Sequence, residues 1–217
     1  MLSAIAAAAV LGAASPAAGA DSRLDDALAS VIQAWDHARF QITDDDAQVA
    51  ALRRVEAQAA ALAQQYPGEA APMLWQAAAM AAEADESGPG AALSLARRAK
   101  ALLEAARAAA ADRLTEAGIH TLLGVLYYEA PGFPIAFGDH RQAEANLRQA
   151  VALNPQSIEA NYYLGDFLME RRRYGEAIAP LSAALNAPDR PGRAIADSAL
   201  RSEARERLAH AQRRASQ

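Results

Sequence analysis

Apolar residues recur along this chain three and four positions apart and almost never alternate with polar ones, so helices are predicted and strands are not. The clearest stretch is residues 158–191, where Leu164-Gly165 and Leu168 fall on one helix and Ala177, Leu181 and Ala184 on the next. The same order appears one unit earlier, with Leu123-Gly124 and Tyr127, then Ala143, Leu147 and Ala150, closed by Asn154-Pro155. Proline cannot continue a helix, so Pro155 ends that unit. The glycine and alanines mark where paired helices approach most closely, because bulk there would push them apart. In the last unit, Gly175 is expected to break the chain between the two helices. Upstream the marks thin but persist: Trp75, Ala79 and Ala82, then Ala92, Ala96 and Ala99, flank a turn at residues 86–90. Residues 24–41 and 47–66 read as a further helix pair, ended by Pro67-Gly68. Beyond Pro188 and Pro191, a polar helix over about residues 194–214 lacks these marks, and its mixed Arg/Glu face suits a terminal cap.

Two adjacent units agreeing at so many positions resemble the tetratricopeptide-repeat (TPR) family. The resemblance implies an all-α, TPR-type α-solenoid of about four antiparallel helix pairs plus a C-terminal capping helix. Its best repeats are residues 117–155 and 158–191, within a single domain over 21–217. It also implies a concave face, built mainly by the first helix of each pair, that binds peptides, protein partners or small ligands. Helix positions i, i+3, i+7 and i+10 share a face. In the last unit that spacing selects Glu159, Tyr162, Asp166 and Met169, and in the unit before it Gly118, Thr121, Val125 and Tyr128. Two readings of Tyr128 and Tyr162 stay open: they line a groove, or they pack between repeats.

Residues 129–139 form an insertion longer than the repeat pattern requires, carrying Pro131, Phe133, Pro134 and Phe137. Phe133 and Phe137 either fold over the groove as a lid or partner-binding patch, or pack against the helix pair. The Pro-rich loop leading into Phe137-Gly138-Asp139 and then a helix looks like the TatT-like periplasmic components of TRAP transporters. That narrower resemblance implies a carrier of small apolar ligands, although those components are lipid-anchored and this chain has no cysteine. Asp139, with Gln142 three residues on, reads as a helix N-cap.

Residues 1–20 carry no charged side chain, and the apolar run 4–14 is followed by Ser15-Pro16 and the small-residue pattern Ala18-Gly19-Ala20. A cleaved signal peptide, no lasting membrane anchor, and a periplasmic or secreted protein are expected. The net charge of −5 does not support a nucleic-acid surface, which would normally show a basic face or stripe, and no nucleic-acid partner is expected. Without cysteine there is no disulfide or thiol nucleophile. The four histidines, His37, His120, His140 and His210, lack metal-ligand spacing, and Asp44, Asp45 and Asp46 lack the pattern of a calcium loop. Neither a metal nor a cofactor is expected. No catalytic motif is visible. The leading expectation is a non-enzymatic exported adaptor that binds a protein or peptide through the groove. The alternatives are a periplasmic carrier of a small apolar ligand or a TRAP-associated component.

Overall fold

The computed structural model describes residues 16–216. Among the described residues, nine α-helices follow one another: α1 (Pro16–Gln41), α2 (Asp45–Gln65), α3 (Ala70–Asp85), α4 (Pro89–Ala109), α5 (Arg113–Glu129), α6 (His140–Leu153), α7 (Ile158–Glu170), α8 (Tyr174–Asn186) and α9 (Ala194–Ala215). The fold class read from the sequence is the fold observed.

Local chemistry sets the helix starts. Asp44, Asp112, Asp139 and Ser157 each accept a hydrogen bond from a backbone N–H in the first turn that follows, which satisfies donors the helix leaves free. Pro89 opens α4, where its missing N–H costs nothing. One predicted break is corrected: Gly175 lies inside α8, and the turn falls at Arg172, whose φ of 57° reverses the chain. The first helix is also longer than predicted, beginning at Pro16 and not at residue 24. The apolar run 4–14 of the expected leader lies outside the described residues, while residues 16–20 belong to α1.

Pairs α1/α2, α3/α4, α5/α6 and α7/α8 pack as hairpins, and each even-numbered helix also rests on the odd-numbered helix after it. Among the described residues, the even-numbered helices do not pack closely on one another; surface ion pairs bridge them, Arg98 to Glu56 at 2.8 Å and Arg148 to Glu176 at 3.5 Å. The even-numbered helices form an outer layer around the inner helices α1, α3, α5, α7 and α9, each of which packs beside the next. Close approach within pairs depends on glycine. A Cβ on Gly124 would lie 2.6 Å from Leu147 Cγ, and one on Gly165 would lie 2.5 Å from Leu181 Cγ. Leu147 and Leu181 are fully buried against these glycines, and each contributes roughly 1.5–3 kcal/mol by leaving water.

The inner layer does not remain an open groove. Helix α9 packs on α7 and α8 and also reaches α1, so the five inner helices close into a ring. The closure is made by Arg193, just before α9, whose Nε donates to Asp36 Oδ2 of α1 at 2.7 Å across 157 positions of sequence.

Candidate functional site

The ring encloses a pocket of about 370 Å³. Its apolar lining comes from Trp35 and Phe40 of α1, Leu74, Trp75 and Ala78 of α3, and Leu114, Gly118, Thr121, Leu122 and Val125 of α5. Tyr163 of α7 and Leu200 of α9 complete it. Every lining residue belongs to an inner helix or to a segment leading into α7 or α9; the outer helices contribute none. Trp35 and Trp75 meet edge to face with ring centroids 5.7 Å apart, an arrangement that holds both rings in place. The lining backbone comes close at Gly118, where a Cβ would lie 2.7 Å from a Leu74 methyl.

One side of the pocket is polar. Arg190 donates to both carboxylate oxygens of Glu159 at 2.7 Å and also grips Asp197. Arg193 shares Glu159 at 3.3 Å, binds Asp36 and lies over the Trp75 ring at 5.2 Å. Burial pushes the Asp36 carboxyl above its usual range, and Arg193 partly opposes this. Two polar atoms here are buried without a hydrogen-bond partner, Trp35 Nε1 and Asp36 Oδ1. The arrangement is a greasy cavity with a self-compensated ionic edge, suited to holding an apolar group. Among the described residues no group of acidic, histidine or cysteine side chains is placed to hold a metal ion, and no helix is long and apolar enough to cross a membrane.

The residues selected by helical spacing divide into two sets. Thr121, Val125 and Glu159 line the pocket, with Gly118 beside them. Tyr128, Tyr162, Asp166 and Met169 are all buried, and α9 covers two of them, Tyr162 and Asp166. Tyr128 Oη donates to Asp166 Oδ2 at 2.9 Å, and Tyr162 Oη donates to Glu203 of α9. Arg207 of α9 donates to Tyr162 Oη at 3.1 Å. Its Nε also lies 3.0 Å from Asp166 Oδ1, close enough to pair charges but not aligned as a hydrogen bond. Burial raises Asp166, with Arg207 holding it down, and burial raises both phenols. An open groove at Tyr128, Tyr162, Asp166 and Met169 is therefore corrected to a sealed polar and apolar contact. The helix read as a simple terminal cap turns Glu203 and Arg207 inward and fills that part of the groove.

The loop after α5 is not a lid on this pocket. Phe137 packs edge-on against Tyr127 at 5.9 Å, with Lys100 Nζ 5.4 and 5.6 Å from the two rings. Phe133 is 93% exposed. Arg97 of α4 holds the loop by donating to the Ile135 carbonyl at 3.0 Å. The loop thus lies on the outer layer, and the groove and the phenylalanines are not brought together. Reading by repeat marks missed Trp35, Leu74, Leu114, Arg190 and Arg193. The two tryptophans of the chain, both on first helices of a pair, were the available signal.

Residues 135–194 match the Tetratricopeptide repeat family. Comparison with curated proteins gives no match. Among solved structures, a thermophilic TPR protein of Thermus thermophilus (TTC0263) superposes with a TM-score of 0.57 at 20% identity, covering 88% of this chain and 93% of the other. A structure described as MamA MSR-1 C2 gives a TM-score of 0.42 at 18% identity, covering 91% of this chain and 97% of its own. These matches lend no support to the TatT-like resemblance. The repeat match and the Thermus likeness agree with the helix order and the glycine-mediated pairing above: the chain has the all-α fold of a tetratricopeptide-repeat solenoid.

Proposed function

We propose that the chain is a non-enzymatic binding scaffold whose inner pocket takes an apolar anchoring side chain of a partner polypeptide. The observation that carries this reading is the pocket of about 370 Å³ walled by Trp35, Leu74, Trp75 and Val125. Its volume suits one or two large side chains, and paired aromatic walls favour an aromatic or branched anchor. The closed ring leaves no open channel for a long extended peptide to run through, so recognition centres on a short segment.

A second reading, a small apolar ligand held in the same pocket, is favoured by the buried Trp35 Nε1, which lacks an acceptor that a ligand oxygen would supply. Two measurements separate the readings. Peptides selected by display against the purified protein are measured by fluorescence polarisation with the wild type and with Ala78→Leu, which fills the pocket. Aromatic-anchored peptides should bind, and the variant should weaken them at least tenfold, or about 1.4 kcal/mol, with the thermal melt nearly unchanged. Equal affinities would overturn the peptide reading. Native mass spectrometry that finds a retained small molecule would favour the carrier instead.

Export goes with this proposal. The uncharged, apolar residues 1–20 support a leader cleaved after Ala20, and a periplasmic or secreted mature chain. N-terminal sequencing of the protein from its own cells should begin at Asp21; a retained Met1 would overturn it.

A further inference from the structure

Three large apolar side chains stand out for their exposure: Phe133 at 93%, Leu114 at 68% and Ile135 at 65%. Leu114 sits on the rim of the inner pocket. Phe133 and Ile135 project from the loop between α5 and α6, on the side of the molecule that faces α4. That loop is firmly based. Gly138 N–H donates to the Pro131 carbonyl at 2.9 Å, and Ile135 N–H donates to the Gly132 carbonyl at 3.1 Å. A Cβ on Gly138 would strike the Ala130 carbonyl oxygen, so the loop's two stems are in tight backbone contact. Phe137 is clamped against Tyr127 and Arg97 holds Ile135 in place. Phe133 is therefore displayed from a fixed base, and little ordering is lost when it is buried.

Knob and pocket cannot meet within one molecule. The pocket opens among inner helices, the loop leans on an outer helix, and α5, about 25 Å long at 1.5 Å per residue, lies between Leu114 and the loop. Their surroundings are complementary in charge. Arg97, Lys100 and Arg141 surround the base of the loop, with Glu104 and Asp139 as the nearest acids. Residues flanking the pocket's lining at the starts of α3 and α5 are Glu69, Asp112 and Glu116, while Arg113 turns away to the Ala152 carbonyl. The two arginines of the lining, Arg190 and Arg193, are already paired with Glu159, Asp197 and Asp36.

We infer that a second copy of this chain is a partner of the pocket, and that Phe133-Pro134-Ile135 of one molecule docks among Trp35, Leu74 and Trp75 of the next. This inference rests on the reading of the pocket as a site for apolar anchors and names its occupant. The contact joins two different surfaces, so it is heterologous and propagates head to tail into rings or filaments unless its ends are capped.

The test uses sedimentation velocity on the full chain and two variants. Phe133→Asp removes the knob and leaves the pocket; Leu114→Glu spoils the pocket rim and leaves the knob. Both positions are exposed, so folding should survive, and circular dichroism melts check this. A second pocket variant, Ala78→Trp, fills the cavity itself. Wild type should associate with rising concentration and less so at high salt. Each variant alone should associate at least tenfold more weakly. Mixing Phe133→Asp with either pocket variant should give a one-to-one heterodimer that grows no further. A wild type that stays monomeric, or variants that associate as strongly as wild type, would overturn the inference. If selected peptides still bind the pocket of a monomeric wild type, the pocket reading stands and only the self-docking fails.

Discussion

Single residues decide how closely the paired helices approach, and those residues were readable in advance. Gly124 and Gly165 stand where a methyl group would collide with Leu147 and Leu181, and a glycine amid a helical apolar pattern is a local signal that no distant contact alters. Gly165→Ala should cost about 1–3 kcal/mol by overpacking, read as a lower urea midpoint; an unchanged midpoint would mean that Leu181 yields without cost. The spacing rule also put Tyr128, Tyr162 and Asp166 on the inner face, and there they lie. It did not reveal that Glu203 and Arg207 would cover Tyr162 and Asp166, because that depends on which way a helix without repeat marks turns. Tyr128→Phe leaves a buried Asp166 oxygen without its donor. We expect a loss of about 1–3 kcal/mol in stability, and no loss in peptide binding.

At the scale of the element, α9 is the part whose role the sequence disguised. Its Arg/Glu composition reads as a solvated end, yet Leu200 and Ala204 are buried in the core and Glu203 and Arg207 face α7. The segment before it, between Pro188 and Pro191, supplies Arg190, while Arg193 follows Gly192 at φ 75°. Arg193→Ala would strand Asp36, which is 2% exposed. Removing one partner of a buried pair costs roughly 3 kcal/mol or more. Hydrogen exchange should then accelerate in α9 and in the last turns of α1 together, while α5 and α6 keep their protection. Acceleration in α9 alone would mean that the contact does not couple the two ends.

For the whole molecule, the C-terminal ends of α3, α5 and α7 bring acidic groups together. Withdrawal from water, then the carboxylates of Asp85, Asp166 and Glu170, push Glu129 up to about 7, with Arg39 acting against them. The folded protein therefore holds a proton there that the unfolded chain, titrating near 4.5, has released. Stability should fall as the pH rises from about 4.5 to about 7, but only modestly, because the Glu129 residue is exposed and solvent screens its carboxyl. Denaturation across a pH series should show this decline, and Glu129→Gln should flatten it; an equal decline in the variant would assign it elsewhere. Asp112, Asp139, Glu144 and Glu176 are held below their usual range, so their contribution disappears only in stronger acid. The clasp of Arg193 on Asp36 bears on the lineage of the protein as well as on its stability. Open repeat arrays gain or lose a unit freely, since each touches only its neighbours. Here an added or deleted unit would carry Arg193 away from Asp36 and break the circle, so the copy number is locked and relatives with this clasp should differ by substitution and not by length.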